Sequence, residues 1–288
     1  MKVGLATCAE MPAGDEDEQE LVAALRDGGH EPAWATWDDE TVDWDAFDVT
    51  LVRSTWDYQT RREEYVAWAR RVPRLHNPAA VLEWNTDKRY LTELREGGLP
   101  VVPTIFCPPG TLLPLLEAEV VVKPTVSAGS RDTARFKEDE ERGAEMLLKS
   151  IHRSGRTGMV QPYIPSVDSR GETALLYFGG AFSHAIQKAP LLRRGGAPTD
   201  GLFAPETITP RAPTPRERAV ADRVVAWVAQ RFGGPLAYAR IDLVEGPGGG
   251  PLVLELELTE PSLFFLHAPG AAARLTRWLS DHHATART

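Results

Sequence analysis

Arg240, Asp242, Glu255 and Glu257 are the side chains of this sequence best spaced to do chemistry together. They lie in the stretch Tyr238 to Phe265, YARIDLVEGPGGGPLVLELELTEPSLFF, which reads as two β-strands joined by a Gly/Pro-rich turn. Alternate side chains of a strand share a face, so Arg240 sits with Asp242, and Glu255 with Glu257. Pairing as a hairpin would bring three carboxylates and a guanidinium to one patch. Carboxylates that close repel, and a buried one needs a partner. Two readings fit. The acids either face water on an amphipathic hairpin, or they hold a hard cation such as Mg²⁺, which takes a few carboxylates together with substrate phosphates.

Other residues carry the same kind of ambiguity. Lys123 ends the apolar run Val120 to Val122 and so points out of a core. The loop 125–136 that follows, TVSAGSRDTARF, is small at Ser127, Ala128, Gly129 and Ser130, which lets backbone N–H groups approach an anion. It lacks the Walker spacing, and a plain turn explains it equally. Lys88 falls in the expected first turn of a helix capped by Asn85 or Thr86, where the dipole disfavours a cation. A phosphate there would explain it; otherwise it is a surface lysine. The segment Arg53-Ser54-Thr55-Trp56-Asp57-Tyr58 follows an expected strand. It could hold a small zwitterion, Arg53 on a carboxylate and Asp57 on an amine. Alternatively its aromatics pack, Ser54 caps a turn and Arg53 pairs with Asp57.

The elements that must position these groups are legible in outline. A chain of 288 residues is long for one domain, and 42% apolar with 25% charged residues describes a globular protein with ample core. With 32 Lys+Arg against 41 Asp+Glu, the acidic balance argues against a nucleic-acid or anionic-membrane surface. Cys8 and Cys107 have no paired spacing and read as reduced thiols of a cytoplasmic protein. No signal segment or apolar run of membrane-spanning length is evident. Strand alternates with helix from residue 2 to about residue 80, which predicts a parallel Rossmann-like sheet without a dinucleotide fingerprint. The acidic run Glu16 to Glu20 is expected to be a solvated helix start. Strands are expected at 99–107, 120–122, 158–164, 171–178 and 181–188. A long helix is expected over 215–232 and a last one over 271–279, with a frayed tail from Asp281. The Pro/Gly-rich stretch 189–215 is expected to be a lid, a binding loop or disordered.

In order, Lys88, Lys123-Pro124 with its loop, VQPYI, GET, HAIQK, YARIDLV and LELEL resemble the ATP-grasp superfamily over most of the chain. The resemblance implies an α/β plus α+β fold. A Rossmann-like domain over 1–84 precedes a small central lid over 85–164 and a C-terminal antiparallel-sheet domain over 165–288. It implies ATP and Mg²⁺ as cofactors. Lys88, Lys123 and Lys188 would reach phosphates under the loop of Ser127, Gly129 and Ser130. Gln161, Tyr163 and Ile164 would form the hinge that reads adenine, with Glu172 on the ribose. Asp242 and Glu255 would hold the metal. Glu257 stands where many members carry Asn, so its ligation is open. Arg240 would sit over the transferred phosphoryl group, with Lys123 and Lys188 assisting.

The implied activity is activation of a carboxylate as an acylphosphate for attack by a nitrogen nucleophile. RSTWDY, NP…WNTDK and ELTEPSLFF further resemble the cyclo-ligase subgroup of D-cycloserine biosynthesis, which closes O-ureido-D-serine on its own activated carboxylate. On that resemblance Arg53, Ser54, Asp57, Glu260 and Ser262 would border the pocket for a small amino-acid-like substrate. An intermolecular carboxylate–amine ligase and a non-catalytic nucleotide-binding module are the competing readings. The oligomeric state is open, a homo-oligomer included.

Overall fold

The structure, a computed structural model, describes residues 1–190 and 207–285. At its start β1 (Lys2–Thr7), α1 (Glu18–Asp27), β2 (Glu31–Thr36), β3 (Val49–Val52), α2 (Arg62–Arg71) and β4 (Leu75–His76) build a four-stranded parallel sheet ordered β2-β1-β3-β4. Its central strands are apolar runs because both faces are covered. Val3, Leu5 and Leu51 pack with Leu21, Val22 and Leu25 of α1. Ala6 and Val52 face the aromatic cluster of Trp37, Tyr58, Tyr65 and Trp68. The acidic run is not solvated throughout. Glu18 shares the helix face of Leu21, Val22 and Leu25 and is 1% exposed.

Two short helices follow, α3 (Ala79–Asn85) and α4 (Tyr90–Glu96). Asn85 closes α3 instead of capping the next helix, and the Asp87 carboxylate accepts the Arg89 N–H at 3.0 Å ahead of α4. Lys88 therefore lies outside the helix, so the expected clash with its dipole does not arise. Of the strand expected over 99–107 only β5 (Ile105–Cys107) forms, since Pro100 and Pro103 have no N–H to give a ladder; Val101 makes a single parallel bridge to Val253. β5, β6 (Val120–Pro124), β7 (Ala134–Phe136) and β8 (Gly158–Pro162) form an antiparallel sheet ordered β5-β8-β6-β7. One face is covered by α5 (Glu141–Arg153), whose Ala144, Leu148 and Ile151 meet Val122 and Val160.

After the short α6 (Ser166–Arg170), the remaining chain makes β9 (Glu172–Phe178), β10 (Ala181–Lys188), β11 (Ile208–Pro210), α7 (Pro215–Phe232), β12 (Tyr238–Glu245), β13 (Pro251–Glu257) and α8 (Ala271–Thr285). The five strands form an antiparallel sheet ordered β11-β10-β9-β12-β13. Gly179 and Gly180, at φ 57° and 78°, supply the left-handed turn that the β9–β10 hairpin needs. Thr214 caps α7 in a capping box with Glu217, Pro215 enters at its first turn, and Gly233 ends it at φ 78°. α8 continues to Thr285 where fraying was expected from Asp281, with the His282 ring stacked on Trp278 at 4.7 Å.

One face of this sheet is apolar. Leu175, Tyr177, Ala239, Ile241, Leu243 and Leu256 pack with Ala221, Val224 and Val228 of α7 and with Val81, Leu91 and Leu94 of α3 and α4. Residues 81–94 thus share the core of the C-terminal sheet, and the β5–β8 sheet begins only at Ile105. None of the described helices is long and apolar enough to cross a membrane.

Candidate active site

β13 is an edge strand, and an open edge leaves backbone groups unpaired. Here side chains close it. Asn85 donates to the Leu256 carbonyl at 2.8 Å and accepts the Leu258 N–H at 2.7 Å. Tyr90 Oη accepts the Leu256 N–H at 2.9 Å, and Asn77 donates to the Leu258 and Tyr238 carbonyls. The register of β12 against β13 is thereby fixed, with Arg240 opposite Glu257 and Asp242 opposite Glu255. A bulge follows at Asp242/Leu243, a device that re-aims side chains beside a site. The face opposite the α7 core carries all four groups, as the alternation predicts.

A cleft of about 330 Å³ opens between that face and the β6–β8 sheet. One end is apolar, lined by Val121, Ile164, Val167, Val244 and Leu254, with Gln161 and Tyr163 beside them. The middle is charged, with Lys88, Lys123, Glu172, Lys188, Arg240, Glu255 and Glu257. The loop residues Ser127, Gly129 and Ser130 lie along it, Gly129 and Ser130 both at φ 60°. The far end is built from Asp15, Trp56, Tyr58, Glu260, Ser262 and Phe264.

The charges are paired across the cleft. Lys88 reaches Glu255 at 3.0 Å and the Ser127 carbonyl at 3.0 Å, while Lys123 stands 3.9 Å from Glu255. Lys188 lies 3.3 Å from both Glu172 and Asp242. Arg240 donates to Asp242 at 2.9 and 3.0 Å and also binds Glu257. Burial works against each charge, and the neighbours decide the outcome. Glu255 holds Lys88 above the usual lysine value, whereas burial takes Lys123 below it. Asp242 and Glu255 stay below the usual carboxylate range despite burial, Asp242 through Arg240 and Lys188, Glu255 through Lys88 and Lys123. Burial pushes Glu257 up to about 7, against the pull of Arg240.

Several expected site residues lie elsewhere. Arg53 is 1% exposed and donates to Glu18 at 2.7 and 3.0 Å and to the Pro261 carbonyl at 2.6 Å, so it is a buried strut and no wall of the cleft. Asp57 accepts from Arg61 and from the Trp37 indole, and Ser54 is fully buried. Neither the zwitterion reading of RSTWDY nor the Arg53–Asp57 pair holds. Its contribution to the cleft is Trp56, Tyr58 and the strut itself. Asp242 lies behind Arg240 and Lys188, off the cleft surface, and no three acid, imidazole or thiol side chains stand at metal-binding spacing among the described residues. The Tyr163 N–H is taken by the Glu119 carbonyl at 2.7 Å, and the Tyr163 ring lies under Arg135. The part of the expected closing segment from residue 191 to 206 lies outside the described residues. Cys8 and Cys107 are buried away from the cleft, the Cys8 thiol pushed by burial up to about 11.

The reading from sequence missed Asp15, Phe264 and Gln59. Gln59 is 3% exposed, and its carbonyl accepts the Ala128 N–H at 3.2 Å, tying the loop after β3 to the loop after β6.

A family model described as the N-terminal domain of the D-cycloserine synthetase DcsG matches residues 3–77. The chain is 35% identical over 285 residues to the cycloserine biosynthesis protein DcsG of Streptomyces lavendulae, covering 93% of this chain and 94% of that one. The chain belongs to the DcsG family of ATP-grasp ligases. A crystal structure of D-cycloserine synthetase DcsG superposes with a TM-score of 0.90 at 34% identity, over 98% of this chain and 100% of that one. D-alanine–D-alanine ligase from Bacillus anthracis, complexed with ATP, shares the fold at a TM-score of 0.67 and 16% identity, over 100% and 98% of the two chains. This DcsG-family chain is accordingly an enzyme, an ATP-dependent carboxylate–amine ligase, with the α/β plus α+β architecture that the motifs implied.

Proposed function

We propose that the enzyme activates the carboxylate of O-ureido-D-serine, or of a closely related amino acid, as an acylphosphate and closes it to a D-cycloserine-type ring. The nitrogen bonded to the side-chain oxygen attacks the carbonyl carbon, gives up its proton, and phosphate leaves; water then removes the carbamoyl group from that nitrogen as carbon dioxide and ammonia. The observation that carries this reading is identity to the Streptomyces lavendulae protein at 35% along 93% of the chain. The cleft supports it, because phosphoryl transfer asks for positioning and neutralisation of charge more than for a protein nucleophile.

On this reading ATP lies along the cleft. The apolar end of Val121, Ile164 and Leu254 takes the adenine beside Gln161 and Tyr163, and Glu172 takes the ribose. Lys88, Lys123 and Lys188 hold the phosphates beneath Ser127, Gly129 and Ser130. Because Tyr163 already gives its N–H to Glu119, adenine is read by the neighbouring hinge backbone. Arg240 neutralises the group in transfer. Phosphates would offset the burial that lowers Lys123 from the usual lysine value.

Glu255 and Glu257 line the cleft, and Mg²⁺ takes only one or two carboxylates together with phosphates, so these two acids fit it, with Asp242 opposite Glu255 behind Arg240 and Lys188. Bound there with phosphates as its remaining ligands, the ion would neutralise the triphosphate. Each of these acids is held by a cation in the free enzyme, so metal and ATP together exchange partners with an existing ion-pair set. The substrate takes the end lined by Glu260 and Ser262, in a cytosolic enzyme that needs neither membrane nor nucleic acid.

Incubation with ATP, Mg²⁺ and single amino acids, following ADP, tests the reading. ADP and a cyclised product with O-ureido-D-serine alone are expected. ADP that appears only after a second amine is added would move the enzyme to intermolecular ligation.

A further inference from the structure

The acids of the cleft do not all have a cation. Glu255 has Lys88, Glu172 has Lys188, and Glu257 has Arg240. Asp15, at the substrate end, accepts the Glu18 N–H at 3.0 Å and so serves the start of α1. Glu260 remains. It is 9% exposed, lines the cleft and forms no ion pair among the described residues; the Tyr58 hydroxyl donates toward it.

Its position is built. Four consecutive carbonyls are pinned by side chains from distant parts of the chain. Trp56 donates to Glu260 at 3.0 Å, Arg53 to Pro261 at 2.6 Å, Arg240 to Ser262 at 3.3 Å, and His184 Nε2 to Leu263 at 2.9 Å. Such a frame leaves the Glu260 carboxylate little freedom to turn to water. A buried carboxylate without a countercharge is strongly disfavoured. A ligand that brings the countercharge removes that penalty on binding.

We infer that Glu260 is the receptor for the ammonium group of the carboxylate substrate, which restricts the enzyme to substrates carrying a free amino group next to the activated carboxylate. This rests on the ligase reading above. The placement suits an α-amino acid. Arg240, assigned to the carboxylate end, holds the Ser262 carbonyl, two residues along the same pinned segment. Burial, with the Glu257 charge adding to it, pushes Glu260 up to about 8 against the pull of Lys88, which is paired with Glu255, and so Glu260 has no cation paired to itself.

The test is calorimetric binding of O-ureido-D-serine and of its deamino analogue, 3-(ureidooxy)propanoate, to the enzyme loaded with Mg²⁺ and a non-hydrolysable ATP analogue. Wild type should bind the deamino compound about 100-fold more weakly, the scale for truncating one partner of a buried charge pair. Glu260→Gln should lose about as much affinity for O-ureido-D-serine, leave the deamino compound within about three-fold, and leave the ATP analogue unchanged; Glu260→Asp should recover part of the loss. Equal binding of both compounds by wild type overturns the inference, and that arm needs no variant to fold. So does a Glu260→Gln enzyme that binds O-ureido-D-serine normally, or that weakens both compounds alike. Binding is read apart from turnover, so substrate that binds but yields no ADP when ATP replaces the analogue would strike the ligase reading, whereas Glu260-independent binding strikes this one.

Discussion

Arg53 and Glu18 bind each other at 2.7 Å with both side chains 1% exposed, and Arg53 reaches on to the Pro261 carbonyl. A surface-looking acidic run and a motif that suggested a substrate pocket thus meet inside the molecule. Burial opposes both charges, and it raises Glu18 in spite of its partner. Removing one member of such a pair leaves a buried lone charge. Arg53→Ala is expected to lower stability by about 3–5 kcal/mol in urea denaturation, and Glu18→Leu with Arg53→Met to recover most of it. Unchanged stability in Arg53→Ala would put the guanidinium back among substrate ligands.

The two acids opposite one another on β12 and β13 should differ in their structural weight. Glu255 is the acid that pairs with buried Lys88, whereas Asp242 shares Arg240 with Glu257 and Lys188 with Glu172. Glu255→Gln should destabilise the free enzyme by about 1–3 kcal/mol, and Asp242→Asn by less. Both should reduce ADP formation by about 100-fold or more, the loss expected on removing preorganised charge at a phosphoryl site. Melting curves of folded variants together with ADP assays check both halves.

A third prediction concerns closure over the reactive intermediate. Gln59 accepts the Ala128 N–H in the loop that carries Ser127, Gly129 and Ser130. Gln59→Leu removes the acceptor, and a single hydrogen bond is worth about 0.5–1.5 kcal/mol net, so the fold should survive. The expected effect is leakage. More ADP should form per ring closed, because water reaches the acylphosphate. Gln59→Glu keeps an acceptor and should restore the ratio toward one. An unchanged ratio in Gln59→Leu would separate the two loops functionally.

The hairpin was the most legible part of the site. Strict alternation at Arg240, Asp242, Glu255 and Glu257 fixed a shared face before any neighbour was known, and the strand pairing keeps it. The polar residues of RSTWDY were misread because a six-residue mixture of charges and rings says nothing about its partner; that partner, Glu18, is 35 residues away. A local signal did exist, since Glu18 falls in register with Leu21, Val22 and Leu25. In the sequence Asn85 reads as a helix cap and Asn77 only as the residue before Pro78. Their work of closing the β13 edge depends on contacts more than 150 residues distant, which spacing cannot reveal.

Acid should loosen the segment that carries Glu260. His184 is held neutral: burial takes it down to about 4, and since a carbonyl only accepts, its Nε2 carries the proton toward Leu263 O. His76, half-buried beside Trp278, is likewise lowered to about 4. Both folded values lie below the unfolded one, so the unfolded chain binds more protons between them. Stability is therefore fully present above about pH 6.5 and falls as the pH drops toward 4, by up to about 3 kcal/mol for each histidine. Urea midpoints at pH 7.5 and pH 5 check this. His184→Gln should flatten the dependence, and an unflattened curve would assign it elsewhere.

The central claim is that the substrate's own carboxylate is phosphorylated and then displaced within one molecule. Turnover of O-ureido-D-serine labelled with ¹⁸O in both carboxylate oxygens, with ATP, Mg²⁺ and no added amine, tests it most directly. The account expects one ¹⁸O in the released phosphate, one in the ring product, and equal amounts of ADP and ring. Phosphate free of label, or label transferred only when a second amine is present, would contradict it.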